Sequence, residues 1–173
     1  MAQGRVLGAY GLTEPEAGSD SGGTRTTARQ DGDAGEWVIN GRKRFITNAG
    51  QAGTYIVTAR TGERDDGGPE ISAFIVEAGT PGFAVGRLEE KMGLHASATG
   101  ELLFDDCRVP ADQMLGERGD GWKLFLKILD GGRISIGAMA LGIAQAALDA
   151  ATVYARERRQ FGRPIGSFQG VAF

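Results

Sequence analysis

Residues 10–20, YGLTEPEAGSD, combine turn-forming residues with two hydroxyl side chains. Pro15 biases the residue before it away from helical backbone angles, and Gly18 permits a tight turn. A loop of this kind presents backbone amides and the hydroxyls of Thr13 and Ser19 to a ligand that is rich in hydrogen-bond acceptors. An ordinary surface turn is the alternative, and these residues alone favour it.

A further hydroxyl stands beside an aromatic residue in the segment GRKRFITN, residues 41–48. We interpret this segment as a strand. A threonine hydroxyl next to an aromatic ring suits a flat heterocycle, because Phe45 can stack on the ring while Thr47 hydrogen-bonds its edge. The alternative is an ordinary strand with a half-buried Phe45, and it is the simpler explanation of this segment alone.

Two motifs near the C-terminal end contain arginine. Asp130 and Arg133 are three residues apart, so on a helix they can pair on one face, usually as a solvated ion pair. The segment ERRQFGRP, residues 157–164, has three arginines within six residues, which could bind a phosphate group. A cluster that only complements the helix dipole is an equal alternative. Gly162 and Pro164 are expected to end the helix.

Composition excludes several classes of function. The sequence has a single cysteine, Cys107, so it cannot form an internal disulfide. Together with the single histidine, His95, it provides too few ligands for a structural zinc site, so no metal is expected. With 22 acidic and 19 basic residues, the net charge of −3 gives no electrostatic case for nucleic acid. No apolar run approaches the roughly 18 residues of a membrane span. We therefore expect no membrane partner, a reducing environment and a cytoplasmic location.

Strand-like runs alternate with turn residues before residue 118. The pair Asn40-Gly41 predicts a two-residue hairpin turn, since such turns need positive φ at both positions. Seven strands without an intervening helical pattern predict an antiparallel barrel or sandwich. The predicted strands are Val6–Tyr10, Trp37–Ile39, Arg44–Thr47, Tyr55–Arg60, Ile71–Val76, Phe83–Leu88 and Glu101–Phe104.

The pattern becomes helical from Gly121 to about Glu157. Leu124, Phe125, Ile128 and Leu129 recur at helical spacing, and residues 140–151 are rich in strong helix formers. A helix of 37 residues is about 55 Å long, which is more apolar surface than a small sheet domain can cover. The glycines within it indicate close approach of another helix or of a ligand.

These four motifs, in this order, resemble the acyl-CoA dehydrogenase family. The segments KMGL (91–94) and ELLFDDCRVP (101–110) agree with the resemblance. Family members have a helical N-terminal domain, a middle β-barrel and a C-terminal four-helix bundle. The resemblance therefore implies an α+β fold, with an antiparallel β-barrel over residues 1–117 and the start of a truncated helical bundle over residues 118–173.

The resemblance also implies roles for particular residues. It places the flavin ring of FAD against the motifs at 10–19 and 45–47, with the Thr47 hydroxyl bonded to flavin N5. It also implies that Arg158, Phe161 and Gln169 contact the adenine-nucleotide half of an FAD that is bound to a neighbouring subunit. That arrangement implies a homo-oligomer, a dimer or a homotetramer. The implied cofactor-binding residues are Tyr10, Leu12, Thr13, Ser19, Phe45, Ile46, Thr47, Arg158, Phe161 and Gln169, and the implied substrate-binding residues are Ser19, Asp130 and Arg133.

The chemistry implied by the family is FAD-dependent α,β-dehydrogenation of an acyl-CoA thioester in fatty acid metabolism, with an electron-transferring flavoprotein as acceptor. Gly132 stands where some members carry the catalytic base, which favours a short-chain substrate and leaves no base in this chain. We expect the base beyond Phe173 and the 173-residue chain alone to be inactive. The alternatives are a flavin-dependent oxidase or monooxygenase on the same scaffold, and a non-catalytic interaction module derived from it.

Overall fold

The computed structural model describes residues 2–32 and 35–173. The chain forms two compact units, Met1–Leu126 and Lys127–Phe173. The first unit is built almost entirely from strands, and most of one long helix lies in the second. The mixed α+β class expected from the sequence is therefore confirmed, as a sheet-rich domain followed by a long helix.

The first unit contains one large sheet. Its strands are β1 Gly8–Gly11, β2 Thr27–Asp31, β3 Glu36–Thr47, β4 Thr54–Glu63, β5 Pro69–Glu77, β6 Phe83–Leu88, β7 Thr99–Pro110 and β8 Met114–Leu115. Two 3₁₀ turns, Ser21–Gly23 and Ala111–Gln113, lie between strands. The strand order in the sheet is β6-β7-β3-β2-β4-β5-β8, and β1 pairs with β4.

The sheet differs from the closed antiparallel barrel that was expected. Within residues 2–32 and 35–173 its terminal strands, β6 and β8, do not pair with each other, so the sheet is open. Two pairings with β4, those of β1 and β2, are parallel. Strand β8 has only two residues and pairs with β5 alone. A two-residue edge offers too few backbone groups to close a barrel.

The hairpin turn predicted at Asn40-Gly41 is wrong, because both residues lie inside β3. The β2–β3 connection falls at residues 32–35 instead, of which 33 and 34 lie outside the described residues. Gly41 has φ +143°, and a Cβ there would lie 2.6 Å from the hydroxyl of Thr26. The glycine therefore serves close approach of the backbone to Thr26 rather than a turn.

The hydrophobic core lies between β3, β4, β5 and β7. Trp37 packs edge-on against Phe74 with ring centroids 5.3 Å apart, and Tyr55 packs against Phe83 at 4.8 Å. Cys107 is fully buried in this core, where it packs as a small apolar side chain. Burial raises the pKa of its thiol to about 11.

Helix α1 spans Gly121–Glu157, as the sequence predicts. Its first turns belong to the first unit, where Phe125 is buried and packs against Tyr10 at 5.7 Å. By length and composition α1 could cross a membrane, with a mean hydropathy of 1.5 over 18 residues, so the expectation that no segment approaches this length is wrong. Alanines between the large apolar residues keep the mean hydropathy high, although Ser135, Gln145 and Asp149 interrupt the apolar run. The core helix of a soluble protein has the same composition.

Beyond Leu126, α1 exposes apolar side chains around most of its circumference. A helix that is apolar on all sides is normally buried among others. The exposed residues are Ile128, Ile134, Ile136, Met139, Leu141, Ile143, Leu148, Val153 and Tyr154.

The second unit ends in small elements. After α1 come β9 Arg159–Gln160, β10 Arg163–Pro164, a 3₁₀ turn Ile165–Ser167 and α2 Gln169–Ala172. β9 and β10 form a hairpin. Its two loop residues, Phe161 and Gly162, both have positive φ, as the tightest hairpins require.

Gly121 allows α1 to begin directly against β5. A Cβ on Gly121 would lie 2.5 Å from the backbone nitrogen of Ala73 and would overlap the backbone of Ser72. We expect Gly121→Ala to lower the free energy of unfolding by about 1–3 kcal/mol, as overpacking does, measured by urea denaturation. Gly137, in the same helix, has no atom within 4 Å of such a Cβ, so Gly137→Ala should raise stability by up to about 1 kcal/mol. Equal effects of the two substitutions would contradict this account.

Candidate functional site

A tight turn following β1 docks against the end of β3. Within the turn, Glu14 and Ala17 exchange backbone hydrogen bonds of 2.9 and 3.3 Å. The amide of Arg44 donates to the carbonyl of Thr13 at 2.8 Å. The two hydroxyl-bearing segments singled out in the sequence, residues 10–20 and 41–48, are therefore adjacent in the first unit.

A β-bulge in β3 turns Phe45 outward. Lys43 lies opposite Leu102 of β7 and Ile46 lies opposite Gly100, so β3 carries one extra residue between these pairs. Phe45 has φ +58° and is 57% exposed. The Arg44 guanidinium lies 4.9 Å from the centroid of its ring. Bulges commonly redirect a side chain in this way.

The predicted flavin residues of the first unit divide into two groups. Tyr10, Phe45 and Thr47 are exposed, as is Ser19 on the loop after the turn, and Thr13 is half-buried. Leu12 and Ile46 instead point their side chains into the protein. A ligand at this surface could contact those two residues only through their backbone groups. We call Tyr10, Thr13, Phe45 and Thr47 the hydroxyl–aromatic surface.

A buried ion pair lies directly behind this surface. Lys43 is fully buried, and its ammonium donates to a carboxylate oxygen of Glu14 at 2.7 Å. It also donates to the carbonyl of Leu12 at 3.3 Å and to the hydroxyl of Thr58 at 3.0 Å. Burial lowers the pKa of Lys43 to about 8, against the opposing effect of the Glu14 charge.

The Glu14 carboxylate has three hydrogen-bond donors around it. Besides Lys43, the backbone amides of Arg25 and Thr26 donate to it at 2.7 and 3.1 Å. Burial alone would raise the pKa of Glu14, but the Lys43 charge and these hydrogen bonds together lower it below its ordinary value of 4.5. Glu14 is therefore held ionised and fully engaged.

The predicted residues of the second unit lie on its exposed face. Arg158 follows α1, and its carbonyl accepts from the amide of Ile165 at 2.8 Å. Phe161 is 93% exposed at the tip of the hairpin, 5.9 Å from the Phe168 ring, and Gln169 begins α2. This segment therefore presents an arginine, an aromatic ring and an amide side chain.

The two substrate residues predicted on α1, Asp130 and Arg133, are both exposed. Within residues 35–173 they form no ion pair with each other, so the pairing that their spacing allows is not formed. Their charged groups are left accessible to solvent.

Comparison with known proteins decides the family. Residues 9–107 match the model of the acyl-CoA dehydrogenase middle domain, and residues 119–173 match that of the C-terminal domain. The chain belongs to the acyl-CoA dehydrogenase family. It is 57% identical over 173 residues to a Bacillus subtilis protein named probable acyl-CoA dehydrogenase, covering all of this chain and 45% of that protein. It thus spans less than half the length of this relative.

Solved structures of family relatives are similar throughout the chain. Butyryl-CoA dehydrogenase from Megasphaera elsdenii is 51% identical with a TM-score of 0.88, covering 96% of this chain and 43% of that one. An acyl-CoA dehydrogenase complexed with FAD from Bacillus anthracis is 40% identical with a TM-score of 0.85, covering 94% and 27%. A chain in the structure of the electron transferring flavoprotein of Acidaminococcus fermentans is 50% identical with a TM-score of 0.90, covering 99% and 44%.

One element of this site, the ion pair between Lys43 and Glu14, is not predicted by the sequence motifs. A signal for it exists in the strand pattern. Trp37 and Ile39 face inward, and alternation along β3 places Lys43 on the same face. A lysine at an inward position needs an anionic partner. Glu14, in the adjoining motif, is a nearby carboxylate that supplies one.

We expect Glu14→Gln to destabilise the chain by about 3–5 kcal/mol at pH 7, because the buried Lys43 loses its partner and must either stay charged or give up its proton. The pKa of folded Glu14 lies below that of the unfolded chain, so its stabilisation is complete above pH 4.5 and is lost as the pH falls through the folded value. The difference in the free energy of unfolding between the native and Glu14→Gln chains should therefore become smaller as the pH falls below 4.5, as measured by urea denaturation.

The matched control is Glu16→Gln, which removes an exposed carboxylate two residues away. It should change the free energy of unfolding by less than about 0.5 kcal/mol at neutral pH. A difference between native and Glu14→Gln chains that stays constant from pH 7 into acid would contradict the ionised state of Glu14.

Proposed function

We propose that this chain supplies the flavin-binding surface of an acyl-CoA dehydrogenase that performs FAD-dependent α,β-dehydrogenation of an acyl-CoA thioester. The observation that carries the proposal is the hydrogen bond from the Arg44 amide to the Thr13 carbonyl, at the bulge that exposes Phe45. It joins the two hydroxyl-bearing segments into one surface. The relative complexed with FAD supports the choice of cofactor.

The residues of the hydroxyl–aromatic surface fit a flavin ring. The ring is flat, with two broad faces for stacking and an edge of hydrogen-bonding atoms, and this surface offers the exposed Phe45 beside the hydroxyls of Thr13 and Thr47. When bound, FAD supplies the acceptor for the hydride that leaves the β-carbon of the substrate. Thr47 would donate a hydrogen bond to the flavin nitrogen N5, and Thr13 would bond the pyrimidine edge.

The remaining predicted residues complete the proposed sites. We assign Tyr10, Leu12, Ser19 and Ile46 to the flavin site, with Leu12 and Ile46 contacting the flavin through their backbone groups. Contacts with the adenine-nucleotide half of FAD would come from Arg158, Phe161 and Gln169, and contacts along the CoA chain from Ser19, Asp130 and Arg133. Arg158, Phe161 and Gln169 lie on one exposed segment, so they can contact FAD that is bound to a second copy of the chain.

The proton-abstracting carboxylate is proposed to lie outside these 173 residues. Glu14 is the buried carboxylate nearest the hydroxyl–aromatic surface, and Lys43 with two backbone amides already occupies it. A base held in this way is weakly basic, because its ionised form is favoured. Position 132, where some family members carry the base, is glycine.

The finer assignments follow the relatives. A short acyl chain is supported by the likeness to butyryl-CoA dehydrogenase, and an electron-transferring flavoprotein as acceptor by the likeness to a chain from such a structure. We assign residues 1–117 to a barrel-like middle domain and 118–173 to the start of a helical bundle. The apolar circumference of α1 fits burial among further helices in a cytoplasmic homo-oligomer.

Titration of the 173-residue chain with FAD, followed by butyryl-CoA without oxygen, tests the proposed function. We expect weak FAD binding, seen as a change in flavin fluorescence, because the site is shared with other segments. No bleaching at the flavin absorbance maximum should follow, since general-base catalysis typically supplies 10²–10⁴-fold and the base is missing. Absence of any FAD binding up to millimolar concentrations would contradict the flavin surface, and stoichiometric bleaching would contradict the missing base.

Thr47→Ala tests the role of the hydroxyl in the whole protein. Reduction of bound flavin by butyryl-CoA should slow by about 10- to 1000-fold, the range for removal of one preorganised donor. Stability should change by less than about 1.5 kcal/mol, because Thr47 is exposed. Thr99→Ala, which truncates the threonine paired with Thr47 on β7, is the matched control and should leave reduction unchanged. A large loss of stability with normal reduction would make Thr47 a structural residue.

A further inference from the structure

The Lys43–Glu14 ion pair is the one ionic contact of the described residues in which both side chains are almost completely buried. It lies behind the hydroxyl–aromatic surface without belonging to it. We propose that Lys43 and Glu14 are positioning residues, which hold the turn at residues 12–17 against β3 and so fix Thr13 relative to Phe45 for the FAD ring. This inference rests on the proposed function.

A single ammonium group joins three segments of the first unit. Lys43 is itself in β3, and its three donors reach Leu12 and Glu14 in the turn and Thr58 in β4. An ammonium has three N–H donors, so all are used. Through Glu14 the contact extends to the amides of Arg25 and Thr26 at the approach to β2. The turn is therefore tied to β3, to β4 and to the segment that leads into β2.

The bulge in β3 adds a second hydrogen bond next to the first. Lys43 is the last residue in register with β7 before the bulge, and its side chain binds the carbonyl of Leu12. The following residue, Arg44, donates its amide to the carbonyl of Thr13. Two consecutive residues of β3 thus hold two consecutive residues of the turn. The residue after them is Phe45, so its position and that of Thr13 depend on the same pair of contacts.

Stability alone does not require a charge pair at this position. Taking two charges out of water costs free energy, and uncharged replacements of similar volume are often as stable. Removing one partner alone, by contrast, leaves an unpaired buried charge. A positioning role therefore predicts that a double variant can regain stability while it loses the geometry of the turn.

The decisive variant is the full chain with Lys43→Met and Glu14→Gln together. Methionine retains much of the lysine volume, and the glutamine amide oxygen can still accept from the backbone amides of Arg25 and Thr26. The control is Arg108→Met, which removes contacts of 2.9 and 3.2 Å to Asp31 and Glu36 elsewhere in the sheet. Glu14→Gln alone serves as the second variant, measured under conditions where it remains folded.

Two measurements are made on each chain. Hydrogen exchange without FAD reports the protection of the Arg44 amide, with the amides of the β4–β5 pairing as internal reference. Titration with FAD gives the dissociation constant and the visible spectrum of the bound flavin. We expect exchange at Arg44 to accelerate at least about 10-fold. The FAD dissociation constant should rise about 10- to 100-fold, by analogy with the loss of affinity when hydrogen-bonded supports behind metal-binding residues are removed. Arg108→Met should change neither.

Native protection at Arg44 in the folded double variant would overturn the inference, and so would a native FAD dissociation constant and spectrum. If the unsubstituted chain itself fails to bind FAD, the proposed function fails instead. In that case the exchange measurement still decides whether the ion pair holds the turn, and the two failures remain distinguishable.

Discussion

Strand β3 serves both the core and the candidate site because one extra residue reverses its alternation. Up to Lys43 the odd-numbered residues face inward, as Trp37 and Ile39 show. The extra residue between Lys43 and Ile46 switches the inward face to even numbers, so Ile46 enters the core. Without it, Phe45 and Thr47 would point into the core, because side chains alternate strictly along a strand. The exposed surface therefore depends on one bulge.

The same short stretch also carries the buried charge. Lys43 is the last inward-facing residue before the bulge. A buried ammonium group is costly unless it is paired, so it needs a carboxylate beside it. The tight turn after β1 supplies that of Glu14. The bulge in β3 therefore comes directly after Lys43, the one charged residue of β3 that is buried. Irregular strand pairing and buried charges are typical of functional sites, where proteins break the rules that regular elements follow elsewhere.

The sequence predicted the elements better than their connections. Helix α1 was predicted at its observed bounds because a long, helix-favouring pattern is a strong local signal. The sequence does not predict strand β2, Thr27–Asp31, because the strand is mostly polar and has no apolar alternation. It predicts two strands in place of β3 because Asn40-Gly41 resembles a turn. The open sheet and its parallel pairings depend on contacts between distant residues, which no local pattern specifies. For the site, the motifs identified the segments, but the contact between Arg44 and Thr13 emerged only in three dimensions.

Because Cys107 is buried, the folded chain should react only very slowly with thiol reagents. The thiolate is the reactive form, and with a pKa of about 11 only a minute fraction of this thiol is ionised at neutral pH, in a side chain that solvent does not reach. Since the sequence has one cysteine, a second one introduced on the surface would be the single site for a spectroscopic label. The slow modification of Cys107 itself would then measure how often the sheet opens, because the thiol lies in the middle of its core.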